Sequence, residues 1–78
     1  MPEPTELPEV LLDLRGLYPP EPMERVLDAL ASLGLGQQIR MLIEREPHPL
    51  YRILENNGYV WRCTEPEPGL YQIVIEEK

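Results

Sequence analysis

Hydrophobic and polar positions along this chain change their period at each boundary between elements, and the changes divide it into six. In EVLLDLRG, Val10, Leu12 and Leu14 alternate with Leu11 and Asp13, the period of a strand with one buried face, and Gly16 ends the run. From Pro22 the spacing widens. Met23, Val26, Leu27, Leu30 and Leu33 recur at steps of three and four, drawing one apolar stripe, while Glu24, Arg25 and Asp28 fall off it, so a helix is predicted. Pro22 suits the first turn, where its missing N–H has no intrahelical acceptor, and Gly34 suits the C′ position, with Gly36 continuing the turn. QIRMLIE, residues 38–44, returns to period two with Ile39, Met41 and Ile43 against Arg40, Leu42 and Glu44. EPHPLYRILENNG repeats the helical grammar: Pro49 near the first turn, apolar Leu50, Ile53 and Leu54, and an exit at Asn57-Gly58. YVWRCTE and LYQIVIE, rich in aromatic and β-branched residues, flank PEPG and read as a hairpin of third and fourth strands.

The order β-α-β-α-β-β predicts an α+β domain, a two-layer α/β sandwich with both helices on one sheet face, because right-handed crossovers put them there. The other face then meets solvent or a partner. With Ile39, Met41 and Ile43 turned to the helices, that outer face carries Leu11, Asp13, Arg40, Leu42, Glu44, Val60, Arg62, Thr64, Leu70, Gln72 and Val74. Leu11, Leu42, Val60, Leu70 and Val74 are enough for an apolar patch bordered by charges, a candidate surface for a protein partner or for self-association. Residues 1–8, proline-rich and acidic, are expected to form an extended leader, and 9–78 a single domain.

Composition narrows the classes of function. A chain of 78 residues builds one thin core, burying about 60% of what its unfolded form exposes. Fourteen acidic side chains against seven basic give a net charge of −7, which repels phosphate backbones and anionic lipid, so neither nucleic acid nor membrane is an expected partner. No apolar run approaches the length of a membrane span, and the single cysteine, Cys63, allows neither a disulfide framework nor a thiolate zinc site, which fits a cytoplasmic protein. Six of the seven basic residues are arginine and ten residues are proline, a profile compatible with heat adaptation and equally with a GC-rich genome.

LDLRGLYPPEP followed by a helix resembles the motif of the TusA and SirA-like sulfur carriers, in which a strand ending Leu-Asp leads through Gly-Leu to Cys-Pro-X-Pro at a helix start. Leu12, Asp13, Gly16, Leu17, Pro20, Glu21 and Pro22 match as they stand, and Pro19 falls where those carriers hold the cysteine. PHPLYRILE, GYVWRC and GLYQIVI look like an uncharacterised branch of that superfamily, a family of domains of unknown function with proline in place of the cysteine. The resemblance spans residues 10–76. It implies a mixed four-stranded sheet in order 1-2-4-3, with strand four antiparallel to the others. Such relatives occur beside or fused to hemerythrin-like domains and nitrogen-oxide or redox proteins, which implies a link to that metabolism. A persulfide carrier needs a thiolate, favoured by the partial positive charge and free N–H groups of a helix start. Pro19 cannot supply one, Pro20 and Pro22 lack N–H groups, and Glu21 and Glu24 oppose an anion there, so sulfur transfer at this junction is rejected.

In such a fold both helix starts and the ends of strands one and two share one edge, where crevices bind ligands. That gathers Arg15, Tyr18, Pro19, Pro20, Glu21, Arg45, Glu46 and His48 as a candidate interaction edge, set against the plainer role of prolines in restricting the unfolded chain. His48, between two prolines, reads as a solvated or capping residue; pairing with Asp13 or Glu44, or metal ligation with Glu44 or Glu46, is the alternative. Tyr51, Tyr59, Trp61 and Tyr71 read as core aromatics, and Tyr18 as an exposed anchor. Cys63 shares the parity of Tyr59 and Trp61 and reads as a small buried hydrophobe on the helix-covered face. No catalytic constellation, metal site or cofactor site is complete. The expectation is a non-catalytic interaction or accessory domain recognising a protein, with a sulfur or redox relay through Cys63 as the alternative and nucleic-acid binding last.

Overall fold

Alternation of Val10 and Leu12 with Leu11 and Asp13 gives β1 (Val10–Asp13), whose residues are in turn half-buried and exposed, and Leu14 just beyond it is fully buried. The computed structural model describes residues 9–78; the expected leader, 1–8, lies outside the described residues. Five further elements follow: α1 (Glu21–Ala31), β2 (Gln38–Ile43), α2 (His48–Asn56), β3 (Tyr59–Glu67) and β4 (Leu70–Glu77). The sheet has the order β1-β2-β4-β3, with β1 parallel to β2 and β4 antiparallel to both β2 and β3. This is the expected mixed sheet. None of the described helices is long and apolar enough to cross a membrane.

Register turns the strand pattern into core. Val10 lies beside Ile39, Ile39 beside Ile75, and Ile75 beside Trp61; the next inward row runs Leu12, Met41, Ile73, Cys63. Ile39, Met41, Ile73 and Ile75 are essentially sealed, and Val26 of α1 with Leu50 and Leu54 of α2 close over them. Among the described residues no polar or charged side chain is buried, so the core carries no polar desolvation to offset.

Three local expectations are corrected. Leu27, placed on the buried stripe, is 39% exposed. It lies one step round α1 from Val26 and borders a groove shared with Leu30, Ile53 and Tyr59, because the sheet-facing stripe of an 11-residue helix is centred on Val26. Gly34 does not end α1 with a left-handed residue. The helix closes through Ser32 (φ −104°), whose N–H and that of Leu33 reach the carbonyls three residues back at 3.2 Å. Chain reversal is passed to the turn 34–37, where the Gln37 N–H donates to the Gly34 carbonyl at 3.1 Å and Gly36, at φ +78°, takes the third position that suits glycine. Finally, β3 does not stop at Glu65. It continues to Glu67 past an irregularity between Thr64 and Glu67, which leaves Pro68-Gly69 alone as the turn. Pro66 has no N–H to pair, and a bulge is where a strand tolerates it. The Asn57-Gly58 exit from α2 is as expected, with Gly58 at φ +80°.

Ile73→Val, which removes one methylene from the sealed centre, is expected to cost about 1 kcal/mol and to lower the melting temperature by roughly 4–8 °C for a domain this small. Leu11→Ala, at 69% exposure on the outer face, is expected to stay within about 0.5 kcal/mol. Thermal unfolding followed by circular dichroism checks both; equal losses would show that the outer face also carries core packing.

Candidate functional site

Because β1 and β2 are parallel, the connections that leave their ends, and hence the starts of α1 and α2, lie at one edge of the sheet. The two strand ends are tied together there. Leu14 N–H donates to the Leu42 carbonyl at 2.9 Å, and both carboxylate oxygens of Glu44 accept from the Gly16 N–H, at 3.0 and 3.1 Å. Beyond this clamp the Glu21 N–H donates to the Tyr18 carbonyl at 2.9 Å, closing a turn over Pro19 and Pro20. α1 starts with no side-chain cap and with Pro22 in its first turn; α2 starts likewise after Pro47, with Pro49 in its first turn.

Between the two helix starts runs a cleft of about 700 Å³, walled on the α1 side by Gly16, Leu17, Tyr18, Pro19 and Pro22, and on the α2 side by Ile43 to Pro47 and Pro49. Of the eight residues expected at this edge, Tyr18, Pro19, Arg45 and Glu46 line the cleft; Arg15, Pro20, Glu21 and His48 stand outside its lining. Tyr18 is 84% exposed. Arg45 has no hydrogen-bond or ion-pair partner among the described residues. The other two arginines at this edge are occupied: Arg15 grips Asp13 in a two-pronged pair, each N···O distance 2.8 Å, and Arg25 reaches Glu21 at 3.3 Å along the helix. Arg15's side-chain and backbone hydrogen bonds hold the Asp13 carboxyl at about 2, well below its ordinary 3.8. Glu44, weighed from the sequence only as a partner for His48, is the principal residue missing from the expected edge. Its strand parity placed it on the outer face, and only the pairing of β1 with β2 brings it within reach of Gly16.

At the α2 start the side chains form a stacked series. Tyr51 lies flat on Trp61, ring centres 5.0 Å apart and planes 13° from parallel, and the His48 ring meets Tyr51 edge-on at 5.7 Å. The Tyr51 hydroxyl donates to Glu46 at 3.0 Å. Burial, then hydrogen bonding with Cys63 and Glu46, pushes the Tyr51 phenol above the ordinary tyrosine range. His48 pairs with neither Asp13 nor Glu44, which are held by Arg15 and Gly16; its nearest carboxylate is Glu46, 3.7 Å away, and its side chain is three-quarters exposed. Cys63 packs against the core from β3, partly buried instead of sealed because β3 is an edge strand. It does not line the cleft.

The outer sheet face differs from a continuous apolar patch. Leu11, Arg40, Val74 and Arg62 share one row, and Asp13, Leu42, Gln72 and Thr64 the next. Leu42, Val74 and Val60 thus follow a diagonal crossed by Arg40 and Arg62, whose stems cover apolar surface while their heads stay wet. Glu9 accepts from Arg40 at 2.9 Å and also from the Gln38 amide, and these bonds lower its pKa. Leu11 and Val60 are exposed, at 69% and 39%; Leu42, Leu70 and Val74 are half-buried.

The cleft can hold an apolar segment and meet charge at its rim, but its lining offers no serine, cysteine, threonine or lysine to attack a substrate. Among the described residues no group of three or more His, Cys, Asp or Glu side chains stands where it could share a metal ion.

Residues 11–77 match the model of a family described as an uncharacterized conserved protein, DUF2249. Among solved structures, a SirA-like protein from Desulfitobacterium hafniense is similar, with a TM-score of 0.75 and 28% identity, covering 85% of this chain and 93% of that one. No curated protein matches.

A carboxyl whose folded-state pKa is depressed contributes stability above its unfolded value and loses it as pH falls through the folded value. For Asp13 that window runs from 3.8 down to about 2. Asp13→Asn is therefore expected to flatten the fall of the urea midpoint over this interval; an unchanged slope would mean that the exposed Asp13–Arg15 pair contributes nothing in solution.

Proposed function

Because the chain belongs to the DUF2249 family of uncharacterised conserved proteins, and shares its fold with a SirA-like protein, we propose that it is a non-catalytic interaction domain whose cleft between the two helix starts recognises a segment of another protein. One observation carries this reading: an exposed tyrosine and an arginine without a partner among the described residues flank a proline-walled, largely apolar cleft lined by no serine, threonine, cysteine or lysine. At the position where the motif of the sulfur carriers it resembles holds cysteine, the chain has Pro19. What persists is the rigid shape of the junction. Prolines on both walls limit how much the cleft must be ordered on binding, and preorganised walls favour affinity at small area. The outer sheet face, with Leu42, Val74 and Val60 on a charged background, is the second surface available for association.

A relay through Cys63 is the weaker reading, since the thiol lies under the edge of the helical layer and away from the cleft. Nucleic acid is disfavoured by the net charge of −7.

The test compares the wild type with a Tyr18→Ala/Arg45→Ala double variant as immobilised bait in lysate of the source organism, with retained proteins quantified by mass spectrometry. A specific partner is expected to fall at least about tenfold on the variant, as when an interface anchor is truncated, while both forms melt alike. Equal retention would remove the cleft from the account. Intact-mass measurement after exposure to a sulfur donor addresses the relay: addition of one sulfur to the wild type and none to Cys63→Ser would replace this reading with sulfur transfer.

A further inference from the structure

Beneath the cleft lies a second, smaller space of about 40 Å³, lined by Pro22, Met23, Val26, Met41, Ile43, Pro47 and Leu50, and its lining is entirely apolar. It shares Pro22, Ile43 and Pro47 with the cleft above, so it sits where α1, β2 and α2 converge. Water gains little there. A water molecule needs about 10–15 Å³ and two or more polar partners to settle; this space has the room and lacks the partners. The branched end of an aliphatic side chain fits it on both counts.

Charge around the opening is uneven. Glu44 and Glu46 line the cleft against the single cation Arg45. Both carboxylates already hold a neutral donor, the Gly16 N–H and the Tyr51 O–H; among the described residues neither forms a close ion pair beyond the weakly placed His48, and Arg15, committed to Asp13, reaches Glu44 only through its field. At the rim Asp13 cancels Arg15 and Glu21 cancels Arg25, which leaves Glu24 of the first turn of α1 as a further uncompensated negative charge. The whole molecule adds its net charge of −7. Such a field attracts cations to the cleft and slows the approach of acidic segments.

We propose that the occupant of the cleft is a basic peptide segment: an aliphatic side chain, Leu, Ile or Met, enters the apolar space below while a neighbouring Lys or Arg meets Glu44 and Glu46. This inference rests on the docking reading above and specifies its partner. It excludes an acidic segment and a second copy of this acidic chain as the occupant.

The full chain, immobilised, is panned against a randomised peptide library, with the Tyr18→Ala variant as the control surface. Retained peptides are expected to place Lys or Arg within a few positions of Leu, Ile or Met. A fluorescent peptide made from the consensus is expected to bind about tenfold more weakly when its aliphatic residue is changed to Ala, and at least about threefold more weakly when its basic residue is changed to Gln or when salt is raised well above physiological ionic strength. Glu44→Gln/Glu46→Gln, which keeps an acceptor for Gly16 and Tyr51 while removing both charges, should reproduce the loss caused by the peptide's basic-to-Gln change. The measurements on altered peptides use the wild-type domain and stand even if that variant fails to fold. Enrichment of acidic peptides that the control surface releases would overturn the basic occupant and leave the docking reading intact. No enrichment over the control would overturn it as well, and the docking reading would then fall only if the lysate comparison also failed. A dimer in sedimentation that Tyr18→Ala dissociates would show a second copy in the cleft and overturn it too.

Discussion

Parallel pairing of β1 with β2 is the constraint on which the rest of this molecule depends. Two adjacent parallel strands need a crossover, which fixes α1 over the sheet, and the same direction of travel carries the chain from β2 into α2 at the same edge. The register, Val10 beside Ile39 and Leu12 beside Met41, decides which side chains enter the core and how far apart the strand ends stand. The Leu14 to Leu42 bond and the Glu44 carboxylate on the Gly16 N–H extend that register past the ladder. The cleft is therefore positioned by its floor. The Glu44 carboxylate on the Gly16 N–H also joins its two walls.

Stability draws on sealed apolar side chains more than on charges. Among the described residues the sealed side chains are seven branched aliphatic ones and Met41, with no buried polar group to specify or strain the interior. Ion pairs such as Arg15–Asp13 and Arg25–Glu21 are half-exposed and contribute little to folding. Prolines at both helix starts act partly through the unfolded chain, whose freedom they reduce. Tyr18, at 84% exposure, has no comparable structural role. A large ring held in water on a stiff turn is a feature that folding does not explain.

How far the sequence revealed this depends on the range of the interaction involved. Alternation in VLLDL, QIRMLI and YVWRC identified the inward rows correctly, since a period of two leaves a strand with one buried face few choices. The two proline-led helix starts were legible because proline sets its own φ. Leu27 was not, because periodicity gives the direction of a stripe without its width, and the width is set by what packs above it. Gly34 and Pro66 were misplaced by local rules that each have a second solution: a helix that closes by tightening its last turn, and a strand that absorbs proline in a bulge. At the site, Glu44 and the partner of His48 required pairing across 28 residues or competition among nearby carboxylates, neither of which is written into any short segment.

Position 19 is proline, and the residues around it set the charge of the α1 start as much as it does. A helix start that serves an anionic sulfur species needs free N–H groups and little competing negative charge. Here Pro22 withdraws a donor from the first turn of α1, Glu21 and Glu24 occupy it, and across the cleft Glu44 and Glu46 add two more carboxylates. A cysteine introduced at Pro19 would place a thiolate in a field that opposes it. The side chains of this edge favour a cation over an anion. The fold is shared with a SirA-like protein at 28% identity; the backbone supplies the cleft and this chain's own side chains supply its sign.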